Sequence, residues 1–298
     1  MSEEVELFIR QVINSLNTGS IYALVAIGYT MVYGIIRLIN FAHGEIMMFG
    51  AYFAFLIATT LPLNLPFFVI VIISMLIAAL MGVFTEKIAY KKLRTAPRIS
   101  ALITAIGMSL FLQNFAQLLF GASPKVMPRF ISNEPIMFGD IAVAQVTIYT
   151  ISMSIGIMIL LTLFIKRTKP GKAMRAVSQD KEAAMLMGIN INRVISLTFA
   201  IGSALGALGG IFYSIAYSQV YPTLGVMPGL KAFIAAVFGG IGNIGGAVLG
   251  GYTIGFIETM TKGYISSRWA DAIVFSVLIL VLLFKPSGIL GKNVKEKV

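Results

Sequence analysis

Long apolar stretches separated by short polar loops dominate the chain. A membrane-spanning helix needs about 20 mostly apolar residues. Stretches that meet this requirement run over Gly19–Ile36, Ile46–Thr60, Pro66–Thr85, Ile99–Phe120, Gln145–Ile165, Val194–Tyr217 and Trp269–Phe284. An eighth region, Leu230–Met260, is apolar but interrupted at its centre by GGIGNIGG, Gly239–Gly246. That much glycine does not sustain one continuous helix. The pattern predicts two half-helices that meet at a glycine-rich break, with a re-entrant hairpin as one form. Non-helical backbone at membrane depth is tolerated only inside protein or beside a water-filled cavity. Gly239, Gly240, Asn243, Gly245 and Gly246 are therefore candidates for lining a pathway. Asn243 is equally suited to bonding the freed backbone groups. The expected fold is all-α, a polytopic helical membrane protein of about eight spans, with residues 1–298 forming a single transmembrane domain.

Composition agrees with the pattern. Of the 298 residues, 58% are hydrophobic and only 12% charged. A soluble domain could not bury so much apolar surface. The net charge of +11 would suggest a nucleic-acid partner in a soluble protein. Here the basic residues cluster in a few loops, as the positive-inside rule requires, and the partner they imply is the bilayer. Lys87, Lys91, Lys92, Arg94 and Arg98 lie in one loop. Lys166, Arg167, Lys169, Lys172, Arg175, Lys181 and Arg193 lie in another. Lys285, Lys292, Lys295 and Lys297 occupy the tail, and Arg37 completes 17 of the 23 Lys and Arg. All of these are expected on the cytoplasmic side. The remaining loops and an acidic N-terminus, which lacks the basic region of a signal peptide, are expected outside. The first span then acts as an uncleaved anchor. Parity further requires that Leu230–Met260 begin and end on the outer side or contain an even number of crossings.

Candidate chemistry is sparse. There are no cysteines and one histidine, so thiolate catalysis and Cys or His metal clusters are excluded. No nucleophile, base and orienter fall together, no phosphate-binding loop of the form G-x-x-x-x-G-K-[ST] is present, and no cofactor is implied. Arg37, Asn40, His43 and Glu45 fall close together between the first two spans. Two readings stand for them: a polar cap at the membrane interface, or a gate or subunit contact. Glu258 and Asp271 read as solvated residues near span ends. Gly202, Gly206 and Gly210 form an i, i+4, i+8 stripe for close helix packing. The halves of the chain share a faint likeness between NFAHGEIMMFG and GGIGNIGGAVLGG, the trace an inverted repeat would leave.

The longest basic loop, 166–193, contains AVSQDKEAAMLMGIN, Ala176–Asn190. Pro170 and Gly171 are expected to end the preceding helix. Ser178 reads as an N-cap, Asp180 and Glu182 complement the dipole of the helix that follows, and Gly188 ends it. Ala184, Met187 and Gly188 are expected to share a face suited to a groove on another protein. A helix lying on lipid is the alternative, but such helices carry bulkier anchors and more basic residues.

SQDKEAAMLMGIN resembles the coupling loop of ATP-binding-cassette importer permeases. More narrowly, LNTGSIYALVAIGYTMVYGIIRLINFAHGEIMMFGAY, GKAMRAVSQDKEAAMLMGIN and LKAFIAAVFGGIGNIGGAVLGGYTIGFIE resemble the H-type permease subunit of branched-chain amino-acid importers. The resemblance implies a permease that pairs with a second homologous membrane subunit. It also implies two cytoplasmic ATPases and a periplasmic substrate-binding protein. Asp180, Lys181, Glu182, Ala183, Ala184, Met187 and Gly188 would be the ATPase-coupling helix, with Ala183, Ala184 and Gly188 at the motif's small positions. Leucine, isoleucine and valine are the implied substrates; urea or short amides remain open. An ion-coupled secondary transporter is the competing class, and the mid-span regions offer it no evident carboxylate relay.

Overall fold

The computed structural model describes residues 3–60, 65–94, 96–131, 134–139 and 141–291. Lys292, Lys295 and Lys297 lie outside them. The long helices are α1 (Glu3–Ile36), α2 (His43–Thr60), α3 (Phe67–Thr85), α4 (Arg98–Phe120) and α5 (Gln145–Arg167). Two short helices follow, α6 (Lys169–Gln179) and α7 (Lys181–Leu186). Then come α8 (Ile191–Ala216), α9 (Val226–Gly239), α10 (Ile244–Tyr264) and α11 (Ser267–Phe284). The only strands among the described residues are four of two or three residues, β1 (Lys125–Val126), β2 (Ile136–Phe138), β3 (Ile141–Val143) and β4 (Gln219–Val220). Strand β1 pairs with β4 and β2 with β3, both antiparallel.

Among the described residues six helices are long and apolar enough to cross a membrane: those beginning at Glu3, Phe67, Ile99, Gln145, Ile191 and Ser267. The chain is thus a polytopic helical membrane protein. Its centre is α1, flanked by α8 and α10. Small residues create this arrangement, because between helices in lipid only close van der Waals packing and polar contacts are available. Gly251 packs on Ala23 and Gly255 on Gly19, which sets α10 antiparallel against α1. Gly202 meets Gly28, and Gly209 meets Val25, which does the same for α8. The predicted glycine stripe on α8 faces inward: Gly206 abuts the His43 ring and Gly210 the Met47 carbonyl. Helices α3, α4, α5 and α11 form the rim, with large aliphatic side chains outward.

Helix α9 runs toward the end of the bundle that holds Gly34, and α10 returns from it. The glycine-rich region therefore contains two passages, one of the alternatives that parity allowed. Among the described residues nine helices run along the bundle, six of them long and apolar enough to cross a membrane by themselves and two, α2 and α9, starting inside it. The basic segments among the described residues gather at one end, while β1 and β4 lie at the other. The glycine break is at the basic end, not at mid-depth. Gly239 and Gly246 pack backbone to backbone there, and the turn uses φ of 104° at Gly240 and 95° at Gly242. Only glycine, which has no Cβ, adopts these values at little cost. The segment after α11 folds over the turn, with Ile289 N donating to Phe238 O (2.8 Å) and Leu290 N to Gly239 O (3.0 Å).

Two helices start inside the bundle. After Ile36 the chain reverses at Arg37, whose φ is 56°, and descends to His43. The His43 ring lies against Gly28, about 12 Å along α1 from its end at 1.5 Å per residue. From the opposite end, residues 221–225 lead inward to α9, and Gly225 packs on Gly44. The irregular segments are buried in protein, as a membrane interior demands. Asn40, Ala42 and Leu224 are all inaccessible. The inward-starting partner of Asn40–Gly50 is thus the start of α9 rather than the Gly239–Gly251 stretch.

Candidate functional site

On the basic end, α5 stops at Arg167 and Thr168 caps α6, its Oγ1 accepting from Gly171 N (3.1 Å). Pro170 and Gly171 therefore begin a new helix, where a missing N–H is harmless. Ser178 is not an N-cap. It lies in α6 and its Oγ donates to Arg175 O. The cap of α7 is Asp180, whose Oδ1 accepts from Glu182 N (2.9 Å) and Ala183 N (3.0 Å). The Asp side chain wins because it reaches both free N–H groups and carries the charge the helix dipole favours. Gly188, with φ of 80°, ends the helix, and Ile189 N donates back to Ala184 O (3.0 Å).

This geometry divides the α7 residues in an unexpected way. Ala184 is buried against the chain itself, at 4% exposure, while Met185, Leu186 and Met187 are 59%, 86% and 82% exposed. Ala184 and Met187 thus do not present one face outward. A six-residue helix anchored through its alanine offers the opposite side, a projecting knob of soft apolar side chains. Glu182, Ala183 and Gly188 are also exposed. Lys181 is half-buried, and its ammonium is held below the ordinary lysine range, first by desolvation and then by Arg37 and Arg94 nearby. Arg94 is in turn tied to the buried Glu86 and to Asn192.

The Asn40, His43 and Glu45 group is brought together inside the protein, each at 1–2% exposure. Asn40 Oδ1 accepts from Tyr90 OH (2.8 Å), and Glu45 Oε1 from Ser109 Oγ (3.1 Å) on α4. The His43 ring packs edge-on to Tyr29, with centroids 4.6 Å apart. Asn40 Nδ2, His43 Nε2 and Glu45 Oε2 have no protein partner. Arg37 points elsewhere, into a groove of about 1900 Å³ bounded by α1, α5 and α10. Asn243 and Gly245 line the same groove, whereas Gly239, Gly240 and Gly246 are buried in the closed turn. Asn243 caps α10 by accepting from Gly246 N (3.3 Å), and its Nδ2 donates to Leu290 O (2.9 Å). Among the described residues no three His, Asp or Glu side chains are grouped to hold a metal ion.

One buried cluster was not anticipated. Glu258 is not solvated. Its carboxylate accepts from Tyr22 OH (2.6 Å) and from Lys231 Nζ (2.8 Å), and also pairs with Lys262. Lys231 further pairs with Asp271 (2.6 Å), so the network ties α1, α9, α10 and α11 together. The available signal was a lysine and a glutamate inside otherwise apolar segments, which in a membrane span require a partner.

Comparison with known proteins places this architecture. A family model described as "Branched-chain amino acid transport system / permease component" matches residues 11–283. The chain is 42% identical to the high-affinity branched-chain amino acid transport system permease protein LivH of Salmonella typhimurium, and 41% identical to LivH of Escherichia coli, over the full length of each. It is 42% identical to the permease protein BraD of Pseudomonas aeruginosa, over 99% of both chains. The chain belongs to the family of branched-chain amino-acid transport permease components.

Proposed function

We propose that this chain is a membrane-spanning subunit of an ATP-driven importer for branched-chain amino acids. It forms the translocation path with a second, homologous permease subunit. Two cytoplasmic ATPases drive the pair, and a periplasmic protein delivers leucine, isoleucine or valine. Residues 1–298 act as one permease domain in the inner membrane of a prokaryote. The basic end, with loop 166–193 and the C-terminus, faces the cytoplasm, in keeping with the positive-inside rule.

The observation that carries this reading is α7. A helix held at both ends, by Asp180 and by Gly188, presents Met185, Leu186 and Met187 to solvent at the basic end. Three consecutive exposed apolar side chains, the last two of a six-residue helix and its C-cap, are costly in water and favourable in a partner's groove. Methionine adapts to such a groove. Because Ala184 is seated in the chain's own core and α7 packs on α6 and α8, a push on the knob is delivered to α8, which touches α1, α2 and α3. In this role Asp180, Lys181, Glu182, Ala183, Ala184, Met187 and Gly188 form the coupling element. Asn40, His43 and Glu45 suit a gate, since α2 begins among them and their polar atoms are incompletely paired. Gly239, Gly240, Asn243, Gly245 and Gly246 hold the turn that joins α9 to α10, with Asn243 capping α10.

The experiment is ATP-dependent leucine uptake into vesicles that hold the reconstituted assembly. Uptake that needs ATP and the delivery protein, and that stops in Leu186→Asp with the subunit still folded, supports the reading. Uptake that persists without ATP and collapses with an uncoupler would point instead to an ion-coupled transporter.

A further inference from the structure

The groove along α1, α5 and α10 is large, and its lining is divided. It extends along α1 from Leu16 to the turn at Arg37, about 32 Å at 1.5 Å per residue, close to the roughly 30 Å of a bilayer's hydrocarbon. Most of its wall belongs to the half nearer the basic end. Along α5, Ile155, Ile159 and Leu163 repeat every fourth residue and project into it, 44%, 55% and 48% exposed. The wall offers little polarity. Thr162 is engaged with its own helix, its Oγ1 donating to Met158 O (2.8 Å). The mouth at the basic end is different. It is lined by Arg37, Lys166 and Arg175, and no carboxylate is among the described lining residues. The Arg175 guanidinium folds back toward the last turn of α5, reaching Lys166 O at 3.4 Å.

We propose that this groove seats an anionic phospholipid, its phosphate between Arg37, Lys166 and Arg175 and its acyl chains against Ile155, Ile159 and Leu163. Three cations with no counter-ion among the described residues, at the level where the chain leaves the apolar zone, match a phosphodiester and its depth. Arginine forks suit phosphate oxygens. The aliphatic stripe beneath suits acyl chains and provides nothing for the ammonium and carboxylate of an amino acid. The lipid would fill a cleft beside α1 and brace α5, which otherwise meets few helices. This assignment stands on the groove alone and does not depend on the transported substrate.

The test begins with the protein in its native assembly, purified in mild detergent, and counts retained phospholipids by native mass spectrometry. Exchange into nanodiscs of phosphatidylcholine, with or without phosphatidylglycerol, then measures preference. The expected result is retained anionic lipid, replaced by phosphatidylglycerol and not by phosphatidylcholine. At about fivefold per headgroup cation, Lys166→Gln with Arg175→Gln lowers retention about thirtyfold. Ile155→Asp with Ile159→Asp puts charge where the acyl chains would lie and is expected to lower retention with the cations intact. Equal retention of phosphatidylcholine, or no retained phospholipid in the unaltered protein, overturns the proposal. The chain has no cysteine, so Ile159→Cys supplies a single thiol. High-yield crosslinking of that thiol to another membrane subunit would show the groove filled by protein and also overturn it.

Discussion

Lys231 Nζ lies 2.8 Å from Glu258 Oε1 inside the helical bundle, with side chains 8% and 1% exposed. Lys231 is on α9, which starts inside the bundle, and Glu258 is on α10, its hairpin partner. The pair fixes the height of a short helix that has little length with which to anchor itself. Burying two charges is costly, and removing one of them strands the other.

Removing Glu258 takes the acceptor from Lys262 and the buried Tyr22 hydroxyl at once and leaves Lys231 with only the half-exposed Asp271. Glu258→Met is therefore expected to destabilise the protein by about 3–5 kcal/mol, the range for a broken buried pair. Lys231→Met costs less, because Glu258 retains Lys262 and Tyr22. Thermal unfolding in detergent compares the two. A larger loss for Lys231→Met would contradict the network as described.

Close backbone approach makes some glycines irreplaceable and leaves others free. A Cβ at Gly225 would overlap the Gly44 carbonyl, and one at Gly210 the Met47 carbonyl; at Gly156 nothing lies within 4 Å. Gly225→Ala and Gly210→Ala are expected to cost about 1–3 kcal/mol each through overpacking. Gly156→Ala is expected to gain about 0.5–1 kcal/mol from helix propensity. Folded yield and melting temperature after extraction give the order directly.

For α7, the expected result separates folding from coupling. Asp180→Ala removes an N-cap and costs about 1 kcal/mol locally. Leu186→Asp leaves Ala184 seated, so the chain folds and inserts normally while ATP-driven uptake falls to background. Circular dichroism and uptake on the same preparation check this. Full transport in Leu186→Asp would remove α7 from the coupling role.

The glycine turn is closed by the segment after α11, and Asn243 is the side chain that holds both. Asn243→Ala removes the bond to Leu290 O and the cap on α10. Amide exchange of Ile289 and Leu290 should speed up by about fivefold to thirtyfold, the equivalent of 1–2 kcal/mol. Unchanged exchange there would mean that the two backbone bonds to Phe238 and Gly239 suffice.

Much of this architecture is written in local pattern. Apolar length predicts the spans, because a bilayer leaves no other way to satisfy the backbone. Clustered lysine and arginine predict which segments share an end, and the structure gathers them there. Gly188 as the end of α7 follows from its conformational freedom alone. The Ser178 cap failed for a local reason as well: Asp180 is a better acceptor two residues later, and α6 continues through Ser178.

Other features needed the third dimension. That Gly239–Gly246 closes a turn at the basic end depends on which helix each glycine meets. The same holds for α2 and α9, whose inward starts meet at Gly44 and Gly225. The Lys231–Glu258 pair joins residues 27 apart in sequence, so no window along the chain contains the reason for it. The outward turn of Met185, Leu186 and Met187 is decided by where Ala184 finds burial. Sequence determines which segments must leave water. Tertiary structure decides which polar atoms then find partners, because pairing depends on distance between helices and not on order along the chain.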